Sequence, residues 1–141
     1  MSWYKIKPEV PASIGPNSIL ERTSGAPLKV IKLHLIFEGW LGGDLMETSP
    51  VFYVTESLKN GLQSSSLSGI DAFEKIEITR SSNFLELYPD KELPDFFLLR
   101  INGIPYTDDF GLDKGYLVLS SKAKDFLMKY NLSDAELIDA G

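Results

Sequence analysis

From Leu28 onward apolar residues fall at alternate positions: Ile31, Leu33, Leu35 and Phe37, with Lys32, His34 and Ile36 between them. That two-residue period predicts a strand with one strongly buried face. A glycine-bearing loop follows, Gly39-Trp40-Leu41-Gly42-Gly43-Asp44, and Pro50 to Val54 reads as a second strand. Thr55 stands where a side-chain oxygen can cap a short helix over Glu56 to Leu62. Gln63 to Gly69 is a serine-rich loop, and Phe73 to Arg80 is a strand with Ile76 and Ile78 on one face. Ser81 to Tyr88 allows a helical turn or two before Pro89 ends it.

The second half follows a similar order. Phe96 to Ile101 has little polar interruption, which predicts a central strand covered on both faces. Tyr106 to Lys114 reads as a polar loop and Tyr116 to Leu119 as a strand. Ser120 or Ser121 caps a helix running to about Tyr130, with Ala123, Phe126, Leu127 and Tyr130 on one stripe. Ala135 to Ile138 is a closing strand.

Residues 1–27 carry Pro8, Pro11, Pro16 and Pro27 with Gly15 and Gly25, a density that disfavours regular elements. Their apolar residues, among them Trp3, Tyr4, Ile6 and Val10, predict an arm packed on the core rather than a free tail. The chain thus divides into a proline-rich arm, 1–27, and one domain, 28–141. The elements predict an α+β fold: a mixed, mostly antiparallel sheet with covering helices.

A shift of 65 positions sets Leu33 on Leu98, Ile36 on Ile101, Asp44 on Asp109, Lys59 on Lys124, Leu62 on Leu127, Leu67 on Leu132 and Ser68 on Ser133. The caps Thr55 and Ser120 coincide as well. Two explanations stand: an internal duplication of a β-β-α-β unit (28–80 and 95–139), or the likeness that any two such stretches show when slid freely.

Composition narrows the function classes. The 141 residues suit one domain, and 43% apolar with 24% charged residues is ordinary for a globular chain. Fourteen bases against twenty acids give a net charge of -6, which disfavours nucleic acid as a main partner. The absence of cysteine removes disulfides, thiol catalysis and thiolate metal sites. No apolar core of a secretory leader follows Met1, and the greasy run Val30 to Phe37 is short and broken by Lys32 and His34. The expectation is a cytoplasmic protein without membrane contact, its oligomeric state open.

Catalytic chemistry finds few residues to use. His34, the one histidine, reads as a solvated or hydrogen-bonded strand residue. No serine lies in a Gly-x-Ser-x-Gly turn, and no phosphate-cradling glycine loop occurs. With one His and no Cys, no zinc site is expected. The expectation is no cofactor, no metal and no enzyme.

Carboxylates are the abundant reactive type. Glu86 to Asp113 holds seven acids (Glu86, Asp90, Glu92, Asp95, Asp108, Asp109 and Asp113) and two bases, Lys91 and Arg100. Asp108-Asp109-x3-Asp113 lacks the alternation and closing Glu of a calcium loop. The plain reading is a solvated face; the functional one is an acidic surface that steers and holds a basic partner. Aromatics flank the loops: Trp40 beside Asp44, with Tyr106 and Phe110 around Asp108 and Asp109. Such rings serve as interface anchors or fold back on the sheet, and for Trp40 burial in its own core is the better expectation.

Trp40-Leu41-Gly42-Gly43-Asp44, Phe52-Tyr53-Val54-Thr55-Glu56 and Leu67-Ser68-Gly69 carry the first half of a family likeness. Leu93-Pro94-Asp95-Phe96, Asp108-Asp109-Phe110 and Leu117-Val118-Leu119-Ser120-Ser121 carry the second. Over residues 28 to 139 the chain resembles the small immunity proteins of bacterial polymorphic toxin systems, in particular a group with an aspartate pair before a Leu-Val-x-Ser strand and helix. The resemblance implies a cytosolic, non-enzymatic antidote that binds a toxin domain, often a nuclease, and blocks its active site. Related groups with Cys-x-x-Cys pairs find no counterpart in this cysteine-free chain.

The residues expected at a partner surface are Trp40, Asp44, Asp95, Tyr106, Asp108, Asp109 and Asp113. Two other classes stay open. One is a hydrolase using Asp44, Asp108 and Asp109 as carboxylate catalysts or metal ligands. The other is a structural subunit whose arm reaches a neighbour.

Overall fold

Val51 to Thr55 is buried at every position because its two faces feed two different cores. Phe52 and Val54 point into one, Val51 and Tyr53 into the other, as a pleated strand requires. The computed structural model describes residues 2–25, 28–132 and 135–141. Pro27 and Ser133, used in the readings above, lie outside the described residues.

In chain order the elements are β1 (Trp3–Lys7), β2 (Ala12–Ile14), β3 (Ile19–Glu21), β4 (Lys29–Lys32), β5 (His34–Phe37), β6 (Leu45–Thr48), β7 (Val51–Thr55) and α1 (Glu56–Gln63). There follow β8 (Ile70–Lys75), β9 (Glu77–Arg80), α2 (Ser82–Leu87), β10 (Phe96–Ile101), β11 (Phe110–Asp113), β12 (Tyr116–Ser120), α3 (Ser121–Leu127) and β13 (Glu136–Asp139). The fold is α+β, with strand pairings that are antiparallel except between β5 and β9.

A central sheet, β6-β7-β10-β8, separates two layers. On one side lies the sheet β11-β12-β1-β13 with helices α1 and α3, enclosing Ile6, Phe52, Val54, Leu58, Leu99, Phe110, Leu117, Leu119 and Leu127. On the other lies β2-β5-β9 with α2, enclosing Leu35, Phe37, Tyr53, Phe84, Phe96 and Leu98. Residues Phe96 to Ile101 alternate between the two cores, so the near-continuous apolar run is a strand covered on both faces, as expected. Strands β3 and β4 pair as a separate two-stranded sheet, with Val30 buried in the second core.

The four-stranded sheets share one plan. With β6, β7 and β8 set on β11, β12 and β13, each order is the same and only the third strand differs in origin. In the central sheet it is β10, in the outer one β1. Phe96 faces Thr55 across β10 and β7 as Trp3 faces Ser120 across β1 and β12.

That plan corrects the reading of residues 1–27. The described residues of that stretch, 2–25, form the strands β1, β2 and β3 and not an irregular arm, and Ile6 is fully buried. β1 lies inside its sheet between β12 and β13, so the prolines punctuate strands and do not forbid them. Three further boundaries differ. The strand expected from Leu28 breaks at Leu33 into β4 and β5, leaving Ile31 exposed. Phe73 to Arg80 divides at Ile76, whose side chain is buried in the second core. The loop from Tyr106 to Lys114 contains β11, which pairs with β12 through the tight turn Lys114-Gly115, both at positive φ.

The caps Thr55 and Ser120 match the reading, while Ser81, expected inside its helix, caps it; each of the three accepts a backbone N–H from three residues on. The last helix ends at Leu127, short of Tyr130, yet its Ala123 and Leu127 are buried and Phe126 and Tyr130 pack against them.

Candidate functional site

Asp44 and Asp109 immediately precede β6 and β11. Asp44 Oδ1 accepts the Thr55 hydroxyl at 2.7 Å and Asp109 Oδ1 that of Ser120 at 2.6 Å. Each hydroxyl in turn accepts the first-turn N–H of its helix, from Leu58 and Ala123 respectively. The remaining oxygen reaches into the other half: Asp44 Oδ2 accepts Asn131 N–H at 2.8 Å, and Asp109 Oδ2 accepts Ser68 N–H at 2.9 Å. Partial burial works against ionisation of Asp109, but the Ser120 and Ser68 hydrogen bonds outweigh it and hold the carboxyl below its ordinary range. These two aspartates tie the halves together.

The other nominated residues disperse. Asp108 Oδ2 closes its own loop on Ile104 N–H at 2.7 Å. Tyr106, at a φ of 65°, donates its hydroxyl to Asp113 Oδ2 at 2.9 Å and sets its ring edge-on to Trp3. Asp95 is exposed and pairs with Lys75 at 3.5 Å, a contact of little energetic weight at such exposure. Trp40 is half-buried, its ring edge-on to Phe96 at 5.8 Å, in keeping with packing on its own core.

The acidic window is therefore not one face. β10 carries the chain through the middle of the molecule, leaving Glu86, Asp90 and Glu92 beside α2 on the second core. Asp108, Asp109 and Asp113 lie with β11 on the first. Asp44, Asp108 and Asp109 do not come together as a set of metal ligands. Among the described residues no three His, Asp or Glu side chains stand close enough to hold a metal ion.

A different surface does assemble, around Leu41. Buried Glu9 accepts the N–H groups of Leu41 at 2.7 Å and Gly43 at 3.3 Å. Trp40 Nε1 donates to the Gly43 carbonyl at 3.0 Å, and Asn131 Nδ2 to the Gly42 carbonyl at 2.9 Å. Lys91 Nζ donates to the Trp40 carbonyl at 2.5 Å while lying over the rings of both Trp40 and Tyr88. Arg80 holds the Lys91 carbonyl, and Ser81 bonds Glu38, so the end of α2 and the Trp40 loop are fastened together. The N–H groups of Leu41 and Gly43 and the carbonyls of Trp40, Gly42 and Gly43 are thus bonded, and Leu41 is left 64% exposed.

The helix α2 buries only Phe84 and leaves Leu85 and Leu87 exposed, and Tyr88 at its C-cap is exposed as well. Sequence reasoning passed over these residues because it attended to Trp40 and the acids. A signal existed: Phe84, Leu85, Leu87 and Tyr88 cannot all face one core from a helix of six residues.

No family model, no curated protein and no solved structure matches this chain. Among the described residues no helix is long and apolar enough to cross a membrane.

Proposed function

We propose that this protein is a non-enzymatic, cytoplasmic binding module that neutralises a basic protein partner, a bacterial toxin domain, by covering its working surface. One observation carries the reading: the Trp40 loop and the residues after α2, joined by Lys91, leave Leu41 and Tyr88 exposed together with the neighbouring acids Glu38, Asp90 and Glu92. Apolar and aromatic side chains at the centre of an acidic surround are the composition of an interface with a cationic partner. The resemblance to immunity proteins supports a toxin as that partner, and carboxylates can imitate the phosphates a nuclease binds.

The test is co-expression with the C-terminal domain encoded by the adjoining reading frame. Rescue of growth, a stable complex on gel filtration and an association rate that falls steeply with added salt are expected. Undiminished toxicity with no complex formed would end the reading.

A further inference from the structure

We infer that Leu41 is the anchor of the docking surface, and that its counterpart is an apolar recess rimmed by lysine or arginine on the partner protein. The inference rests on the binding role proposed above and adds its place and chemistry.

The exposure is the first argument. Leu41 is 64% exposed, Leu87 68%, Leu85 47% and Tyr88 43%, on two segments that Lys91 and Ser81 join. Leucines that support the fold are buried in this molecule, as Leu58, Leu98 and Leu117 are. Leu41 and Tyr88 both leave apolar surface in water at the Lys91 junction, where Lys91 bonds the Trp40 carbonyl and lies over the Trp40 and Tyr88 rings, and that marks an interaction site.

Rigidity is the second. Binding is weakened by whatever ordering the contact demands, and a loop already fixed demands little. The Glu9 carboxylate, the Trp40 indole, Asn131 and Lys91 fix the peptide groups from Trp40 to Gly43. A substituent at Gly43 would meet Glu9 Oε1 at 2.7 Å, so the glycine is what lets that carboxylate approach. Leu41 is held ready, as a hot-spot residue must be.

Charge selects the occupant. Among the described residues Glu38, Glu86, Asp90 and Glu92 form no ion pair, whereas the two cations at the junction are engaged, Lys91 by the Trp40 carbonyl and two rings and Arg80 by the Lys91 carbonyl. The surround is net negative. An anionic membrane would be repelled, and a second copy docking about a twofold would oppose like charges. A cationic protein surface fits.

The experiment uses the full chain and the C-terminal domain encoded by the adjoining reading frame as probe, with affinity and association rate measured at two salt concentrations. Leu41→Ala is expected to weaken binding about 30-fold and Leu41→Asp about 100-fold or more, both with the parent melting temperature. Ile104→Asp, at an equally exposed leucine-sized residue in the loop before β11, is expected to bind as the parent does. The triple change Glu86→Gln, Asp90→Asn, Glu92→Gln should flatten the salt dependence of the association rate. Tight binding of Leu41→Asp would overturn the inference and leave the binding role standing. Failure of the parent protein to bind the probe would overturn both. A dimer of the protein, or attachment to anionic vesicles, that Leu41→Asp abolishes would reassign the surface and overturn the basic partner.

Discussion

Asp44 and Asp109 hold equivalent places in the two halves of the fold. Each precedes the first strand of a hairpin, binds the hydroxyl that caps the following helix, and binds a backbone N–H after the helix of the opposite half. The exchange is reciprocal, as in the interface of a twofold dimer, although it occurs within one chain. Asp44 N–H also reaches the Asn131 carbonyl, and Phe110 N–H the Ser68 carbonyl, so the backbone repeats the same exchange.

Removal of either carboxylate should act on stability. Asp109→Ala, which strips the Ser120 and Ser68 donors of their acceptor, is expected to cost about 2 kcal/mol in denaturant unfolding. Asp44→Ala should cost a similar amount.

The acid response follows from the same group. The Asp109 carboxyl is held below its ordinary value in the folded chain, so its contribution is complete above the unfolded value, about pH 4, and fades as pH falls through the folded one. Asp109→Asn should therefore show a shallower loss of stability on acidification below about pH 4 than the parent.

Glu47 runs the other way. Burial raises its carboxyl and Lys7 only partly offsets the shift. Its contribution is complete below about pH 4 and lost as pH rises through the raised folded value. Glu47→Gln is expected to raise the melting temperature at neutral pH and to leave it unchanged in acid.

His34 pins the segment before β3. Its Nδ1 accepts Asn17 N–H at 3.2 Å, its Nε2 meets Thr79 Oγ1 at 2.8 Å, and Ser18 Oγ bonds its backbone at both ends. His34→Leu should cost about 2 kcal/mol by leaving those partners unmatched, and amide exchange at Asn17 should accelerate.

Deletion of residues 1–7 tests the place of β1. The loss opens a gap between β12 and β13 and uncovers the first core around Ile6. The shortened chain is expected to lose cooperative unfolding by circular dichroism, where removal of a surface arm would leave the transition intact.

Much of this was legible along the chain. Thr55 and Ser120 announce their helices because a cap needs only a hydroxyl and the next three residues. Phe96 to Ile101 announces a doubly covered strand by its lack of polar interruption. The coincidence of Asp44 with Asp109 and of Thr55 with Ser120 at one shift foreshadowed the paired ties. The Asp108 loop and the acids near α2, by contrast, look continuous in sequence and are separated by a sheet in space.

The sequence alone determined the periods, the caps and the α+β class, since each depends on neighbours within a few residues. Tertiary structure alone decided that β1 completes a sheet whose other strands lie more than a hundred residues later, that Asp44 and Asp109 bond across the two halves, and that Leu41 is exposed. Those outcomes turn on long-range pairing: which strand fills a vacant edge sets which side chains are enclosed, and no local pattern encodes that choice.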